Sequence, residues 1–255
     1  MMTTLIRALA VTVAIALPAG SAQAAEVNAL VTTAMKAALD ELIPQFEKRS
    51  AHKVRVAYGP SGGLARRLRN GETADMILIA APTLDALMQE DRVLPGSTFI
   101  NRTGIGIAVR KGAPKPDVST ADTLKHALLA ARTVGHIAPA SGGITALHLL
   151  KVFERLGIAA AVAAKTKLAA GGPDGRVSVL VASGEAEIGL QQVSELMSNP
   201  DVEVIGMLPG DLQQITVHRA AVTIDAKESD AAREFIRFLT QPDAVAVYKE
   251  KGLGL

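Results

Sequence analysis

Val54-Arg55-Val56-Ala57-Tyr58, Gly59-Pro60-Ser61-Gly62-Gly63, Leu64-Ala65-Arg66-Arg67-Leu68-Arg69-Asn70, Gly71-Glu72-Thr73-Ala74-Asp75 and Met76-Ile77-Leu78-Ile79-Ala80 follow one another without a gap. A β-branched run leads into a Gly/Ser turn. A helical stretch over Gly63–Asn70 follows, then a second turn and an apolar run of strand length. This is one strand–helix–strand unit, and its repetition along the chain signals an α/β fold. Upstream, Val27–Val31 reads as strand, and Met35, Ala38, Leu39, Leu42 and Phe46 fall at helical spacing. Pro44 lies inside that spacing and is expected to kink or shorten the helix. Downstream, Thr83–Asp91 reads as helix and Gly104–Val109 as strand, before a Pro-rich turn at residues 111–116.

The pattern then restarts. Ala121–Ala131, Ile144–Leu156 and Arg176–Ser183 read as helices, and Thr133–Ile137, Ile188–Leu190 and Val202–Met207 as strands. Ile215–Ile224 is a longer strand, and Ser229–Leu239 and Pro242–Lys251 are terminal helices. Two βαβ blocks joined by crossings near Gly104–Val109 and Thr216–Val222 predict two lobes, a cleft between them and a two-strand hinge. Ligands of open α/β sheets sit beyond the carboxyl ends of the strands, so the loops there are the place to look.

The first residues set the compartment. Arg7 precedes an uncharged apolar run over Ala8–Leu17, and small residues end in Ala22-Gln23-Ala24. That order predicts a secretory signal over residues 1–24, with cleavage before Ala25. The apolar run is about half of the ~20 residues a membrane span needs, so no permanent anchor is expected. Of 255 residues, 27 are Lys or Arg and 25 Asp or Glu, and loss of Arg7 leaves a net charge of +1. That balance excludes nucleic acid and anionic lipid as partners. The absence of cysteine excludes disulfides, thiolate metal sites and thiol nucleophiles. With 3% aromatic residues and no tryptophan, stacking platforms are not expected either. A ligand would be held by amides, hydroxyls and a few charges.

The strand-to-helix loops share that chemistry. They are Thr32-Thr33-Ala34, Gly59-Pro60-Ser61-Gly62-Gly63, Ala80-Ala81-Pro82-Thr83, Ala138-Pro139-Ala140-Ser141-Gly142-Gly143 and Gly171-Gly172-Pro173-Asp174-Gly175. Each precedes a helix start, where free N–H groups and the macrodipole favour an anion. Hydroxyls and glycines there also serve as ordinary caps and turns. The pair Ser61-Gly62-Gly63 and Ser141-Gly142-Gly143, one in each block at the same point of the unit, predicts contact with a shared ligand.

The stretch from Tyr58 to Leu68, the G-x-x-A-D motif Gly71–Asp75 before an apolar strand, Ser141-Gly142-Gly143, Gly184-Glu185-Ala186-Glu187-Ile188-Gly189, Leu239–Ala244 and Lys251-Gly252 together resemble the periplasmic molybdate-binding proteins of ABC importers. The resemblance covers nearly the whole chain after residue 24. It implies a two-lobe type II binding protein fold, with residues 25–105 and 220–255 in the first lobe and 106–219 in the second. It also implies a small anionic ligand and an ABC permease as partner; no cofactor is expected, and the exported chain is expected to be a monomer.

Three departures bear on the ligand. Gln192 stands where that family places a tyrosine, Thr32-Thr33 replace small residues including serine, and His136 stands where an acidic residue is common. Gln191 and Gln192 offer both donors and acceptors, which suit a carboxylate at least as well as a tetrahedral dianion. Arg102, at the edge of the hinge strand, and Arg176, opening a helix, are candidate carboxylate clamps. Arg66 and Arg67 are expected to cover the surface, His148 to pack in a helical apolar face, and His52 and His218 have no pattern around them. No His pair falls at metal-ligating spacing, so no metal is expected.

The resemblance leaves an enzymatic alternative. Exported proteins similar to this family isomerise tricarboxylates, aconitate isomerase among them, by an allylic proton shift that needs a base. His136 is the first candidate for that base and Lys36 the second.

Overall fold

The computed structural model describes residues 24–254. The predicted signal segment over residues 1–24 therefore lies, but for its last residue, outside the described residues. The strands are β1 (Glu26–Thr32), β2 (Lys53–Gly59), β3 (Met76–Ala80), β4 (Thr98–Thr103), β5 (Ile105–Arg110), β6 (Val134–Ile137), β7 (Thr166–Ala169), β8 (Ile188–Gln192), β9 (Val202–Met207) and β10 (Thr216–Val222). The α-helices are α1 (Lys36–Ser50), α2 (Ser61–Arg69), α3 (Ala81–Gln89), α4 (Ala121–Ala130), α5 (Ile144–Arg155), α6 (Ala159–Ala163), α7 (Val177–Ser183), α8 (Val193–Met197), α9 (Ser229–Phe238) and α10 (Pro242–Glu250).

Two five-stranded sheets result, ordered β2-β1-β3-β10-β4 and β7-β6-β8-β5-β9. In each, four strands point the same way, and one antiparallel strand, β10 or β5, is inserted next to the edge. The chain passes from β4 to β5 through the single residue Gly104 and returns through residues 208–215. The return thus falls before β10, which pairs with β3 and β4 from Thr216 onward. The expected boundary at residue 220 moves to this segment, because Thr216–Arg219 already complete the first sheet. The side chain of Gln213 joins the crossings: its Oε1 accepts from Ile105 N at 2.9 Å and its Nε2 donates to Ile105 O at 3.0 Å.

Each sheet buries both faces, one apolar cluster per face. One face of the first sheet packs Val31, Met35, Leu39, Leu42 and Phe46 against Phe235, Phe238 and Tyr248 of the terminal helices. Phe46 meets Phe235 and Phe238 with ring centroids 4.8 and 5.4 Å apart. The opposite face packs Leu30, Ile77 and Ile79 under Leu64, Leu68, Leu84 and Leu87. Asp75, from the G-x-x-A-D motif, is a structural tie. Its carboxylate accepts from Asn28 N at 2.7 Å, Lys227 N at 2.8 Å and Glu228 N at 2.9 Å, fixing the approach to α9.

Pro44 does not end α1, which runs unbroken through it to Ser50. Burial of Leu39, Leu42 and Phe46 on one stripe outweighs the lost backbone bond. Four elements, β4, α6, β7 and α8, are not apparent in the sequence pattern. The last three are only four or five residues long, too short to establish a period.

Candidate functional site

The carboxyl edge of the first sheet faces the second lobe. Thr32 ends β1, and Thr33–Met35 form a tight turn before α1. Ser61 opens α2. Its hydroxyl oxygen accepts from Ala80 N at 3.1 Å and so caps the end of β3. Opposite Ala80 on β10 is His218, whose other register partner is Asn101 of β4. His218 Nδ1 and Asn101 Oδ1 are 2.8 Å apart, and Asn101 Nδ2 donates to Met35 Sδ at 3.0 Å. The thioether offers only an acceptor, so the Asn101 amide nitrogen faces it and Oδ1 faces the imidazole. His218 is therefore the Nδ1–H tautomer, with its lone pair on Nε2.

The second lobe closes on this edge. α8 packs against the Thr33–Met35 turn. Gln192, just before α8, donates from Nε2 to Thr216 Oγ1 at 3.4 Å, and Thr216 lies two residues before His218 on β10. Thr33, Ser61, Asn101, Gln192, Thr216 and His218 are all buried, none more than 5% exposed. Three atoms of this cluster, Thr33 Oγ1, Gln192 Oε1 and His218 Nε2, are buried without a hydrogen-bond partner. Buried polar atoms are normally paired, so their grouping between lobes makes this cluster the candidate ligand position. None of the six side chains carries a fixed charge. Burial alone drives the His218 imidazole down to about 4, so it is neutral at pH 7.

At the cleft rim the two Ser–Gly loops touch. Gly62 N donates to Gly142 O at 3.1 Å. Arg66 is exposed, as expected, and its Nη2 also reaches across the cleft to Ser141 O at 3.3 Å and Ala140 O at 3.4 Å. Gly171 joins them: a Cβ there would lie 2.7 Å from Pro60 Cγ. Beside these contacts is an open cavity of about 450 Å³, lined by Tyr58, Gly59, Pro60, Arg66, Ser141, Gly171 and neighbours. Ser141 itself closes its own turn, its hydroxyl donating to Ala138 O at 2.7 Å and accepting from Gly143 N at 3.3 Å.

Several predicted candidates sit elsewhere. His136 shares a face of β6 with Val134, two residues before it, away from the cleft. Its Nδ1 is 2.9 Å from Ile137 O, and its ring lies 5.8 Å from Phe153. It lines an apolar cavity of about 240 Å³ between α5, α6 and β7, and burial lowers its pKa. Gln191 alternates to the opposite face from Gln192, as successive strand residues must. Its Oε1 caps α7 by accepting from Val177 N at 2.8 Å, and its Nε2 donates to Glu195 at 2.7 Å. Arg176 donates to Ser198 Oγ at 2.8 Å, within the second lobe. Arg102 is exposed on the edge strand β4, its backbone bridged to Gly254. Lys36 pairs with Asp40 at 2.7 Å and lies 5.4 Å from the Tyr58 ring centroid. The structure thus gathers Thr33, Ser61 and Gln192 into the cluster, with Gly62, Ser141, Gly142 and Gly143 at the rim. His218, Asn101 and Thr216 were missed. Asn101 lies on the unread strand, and a lone histidine in an apolar strand carries no spacing signal.

Two α/β lobes joined by two crossings, with unpaired polar atoms buried between them, define a two-lobe solute-binding protein. The chain belongs to the bacterial extracellular solute-binding protein family, whose model matches residues 10–254. Its relatives include an aconitate isomerase from Pseudomonas sp, 33% identical over 220 residues that cover 84% of this chain and 81% of the relative. The molybdate-binding protein ModA of Azotobacter vinelandii is 29% identical over 240 residues, 92% of each chain. The solved periplasmic molybdate-binding protein of that organism superposes with a TM-score of 0.73 at 21% identity, covering 90% of this chain and 99% of its own. Among the described residues, no helix is long and apolar enough to cross a membrane, and no cluster of side chains is arranged to hold a metal.

Proposed function

We propose that this protein is exported by the signal over residues 1–24, binds a small organic di- or tricarboxylate between its lobes, and delivers it to an ABC permease. The observation that carries the ligand class is the pair of buried acceptors, Gln192 Oε1 and His218 Nε2, in one cluster with hydroxyls of Thr33 and Ser61. A fully deprotonated oxyanion offers lone pairs only, and two desolvated acceptors facing it repel it. A polycarboxylate presents oxygens to the hydroxyls and helix N-termini, and its carbon skeleton or a protonated carboxyl to the acceptors. Calorimetry and thermal shift against molybdate, sulfate, citrate and the aconitates test this. A carboxylate at a hundred times its Kd is expected to add about 2.7 kcal/mol of stability. Tight molybdate binding with no carboxylate response would overturn it.

A second reading, isomerisation of the bound carboxylate, is favoured by the 33% identity to an aconitate isomerase. That chemistry needs a proton acceptor in the cluster. His136 faces another cavity, and Lys36 is engaged by Asp40.

A further inference from the structure

His218 is the one imidazole of the interlobe cluster, and the Nε2 lone pair that meets the carbon skeleton of the ligand in the carboxylate reading can do more than accept. The ring is fully buried, and Nε2 has no partner. A chain of contacts fixes its state. Met35 Sδ orients the Asn101 amide, Asn101 Oδ1 holds the Nδ1–H proton, and the Nε2 lone pair is left at the carboxyl edge of the first sheet. The rung Ala80–His218 places it in register with the strand end that Ser61 caps. Thr216, on the same strand face, is bound by Gln192 of the other lobe. A histidine needed only for packing would have both nitrogens satisfied or be replaced by an apolar ring. An orienting group behind one nitrogen and an open lone pair on the other is the arrangement of a general base.

We infer that His218 Nε2 is a catalytic base that moves a proton on the carbon skeleton of an unsaturated tricarboxylate held in the interlobe cluster, with Asn101 as its positioning residue. The inference rests on the carboxylate reading above. With trans-aconitate, a C–H bond of the methylene carbon breaks and its proton passes to Nε2. The electron pair delocalises over the adjoining double bond and its carboxylates. The imidazolium returns the proton to the far allylic carbon, and the double bond moves by one position. Atoms and charge balance within ligand and imidazole, so no oxidant or further reactant enters. The ligand's carboxylates supply the negative charge that favours an imidazolium, so the base strengthens when substrate is bound. Thr33, Ser61 and nearby backbone N–H groups are placed to receive charge that develops on carboxylate oxygen.

The test uses the purified protein in D2O with trans-aconitate, followed by proton NMR, with affinity measured separately by calorimetry. Deuterium is expected to enter the methylene position while the cis-aconitate signal grows. In His218→Gln both processes are expected to fall at least 100-fold at trans-aconitate concentrations that calorimetry shows to saturate the variant. Because position 218 is fully buried, Asn101→Asp provides a second variant with an intact imidazole. A carboxylate behind Nδ1 favours the imidazolium, so the acid limb of the exchange profile is expected to move to higher pH, which a packing role would not do. Exchange that survives in folded His218→Gln, or wild-type binding of trans-aconitate without exchange, overturns the assignment. An unmoved acid limb in Asn101→Asp overturns the positioning role. Failure of the wild type to bind any aconitate overturns the carboxylate reading and the inference with it.

Discussion

Gly62 of the first lobe donates its backbone N–H to the carbonyl of Gly142 in the second, 3.1 Å away across the cleft. Two main chains at hydrogen-bond distance leave no room for a side chain. A Cβ on Gly62 would lie 2.6 Å from Gly142 O. Gly62→Ala is therefore expected to hold the loops apart and weaken ligand affinity at least tenfold, about 1.4 kcal/mol. Residue 62 lies inside α2, where alanine is the better helix former, so the melting temperature is expected to hold or rise. A calorimetric titration and a melting curve on the same sample check both halves.

Ser61 has a double duty. Its oxygen accepts from the buried Ala80 N–H, and its own proton points to no other described acceptor. Ser61→Ala strands that N–H, which is expected to cost about 1–3 kcal/mol of stability as well as affinity. Ser141→Ala removes two half-buried hydrogen bonds within its own turn and is expected to cost about 1 kcal/mol. Urea unfolding of both variants ranks them, and the reverse order contradicts the capping of Ala80 by Ser61.

Glu195 gives the second lobe a pH response. Burial pushes its carboxyl up to about 8, against a weaker downward pull from Arg176. The folded state thus holds a proton that the unfolded chain releases near 4.5. The stability this contributes is complete below pH 4.5 and is lost as pH rises towards 8. His218, held down to about 4 from 6.5, acts in the opposite sense. Its contribution is complete above pH 6.5 and is lost as pH falls towards 4. Between pH 6.5 and 8 only the Glu195 slope remains. Glu195→Gln is expected to abolish the decline of unfolding free energy over that interval. Chemical denaturation at half-unit pH steps measures it.

Asp75 is expected to matter for folding and not for the ligand. It accepts from three backbone N–H groups at the far side of the first sheet. Asp75→Ala should cost about 3 kcal/mol or more, because three donors lose one charged acceptor. Affinity of the folded fraction should be unchanged, which calorimetry below the melting transition can establish.

The alternation of strands and helices and the pair of Ser–Gly loops were readable because each rests on local chemistry: β-branched runs, helical apolar spacing and Gly/Ser turns. That pattern pointed to the two Ser–Gly loops as partners for one ligand; their direct contact at Gly62 and Gly142 is seen only in the structure. What escaped was set by the face a side chain takes. Gln191 and Gln192 are equal in sequence, yet strand alternation sends one into the second-lobe interior and the other to the hinge. His136 and His218 exchange expected positions for the same reason. Each is one position on a strand, and only the register with β3 and β4 puts His218 at the cleft.

The inserted position of β10 also decides the order in which the molecule can be completed. β3 and β4 flank it, but they precede it in the chain by more than a hundred residues. Until Thr216–Val222 emerge, the first sheet has an open slot with two unpaired strand edges, whereas residues 105–207 already contain every strand of the second. The second lobe is thus the natural early folding unit, and the first is sealed last by its own inner strand. Such long-range closure is intrinsically slow, and an unfilled slot is an invitation to wrong strand partners. A newly made chain stalled just short of residue 216 would carry its greatest aggregation hazard at the edges that later frame His218.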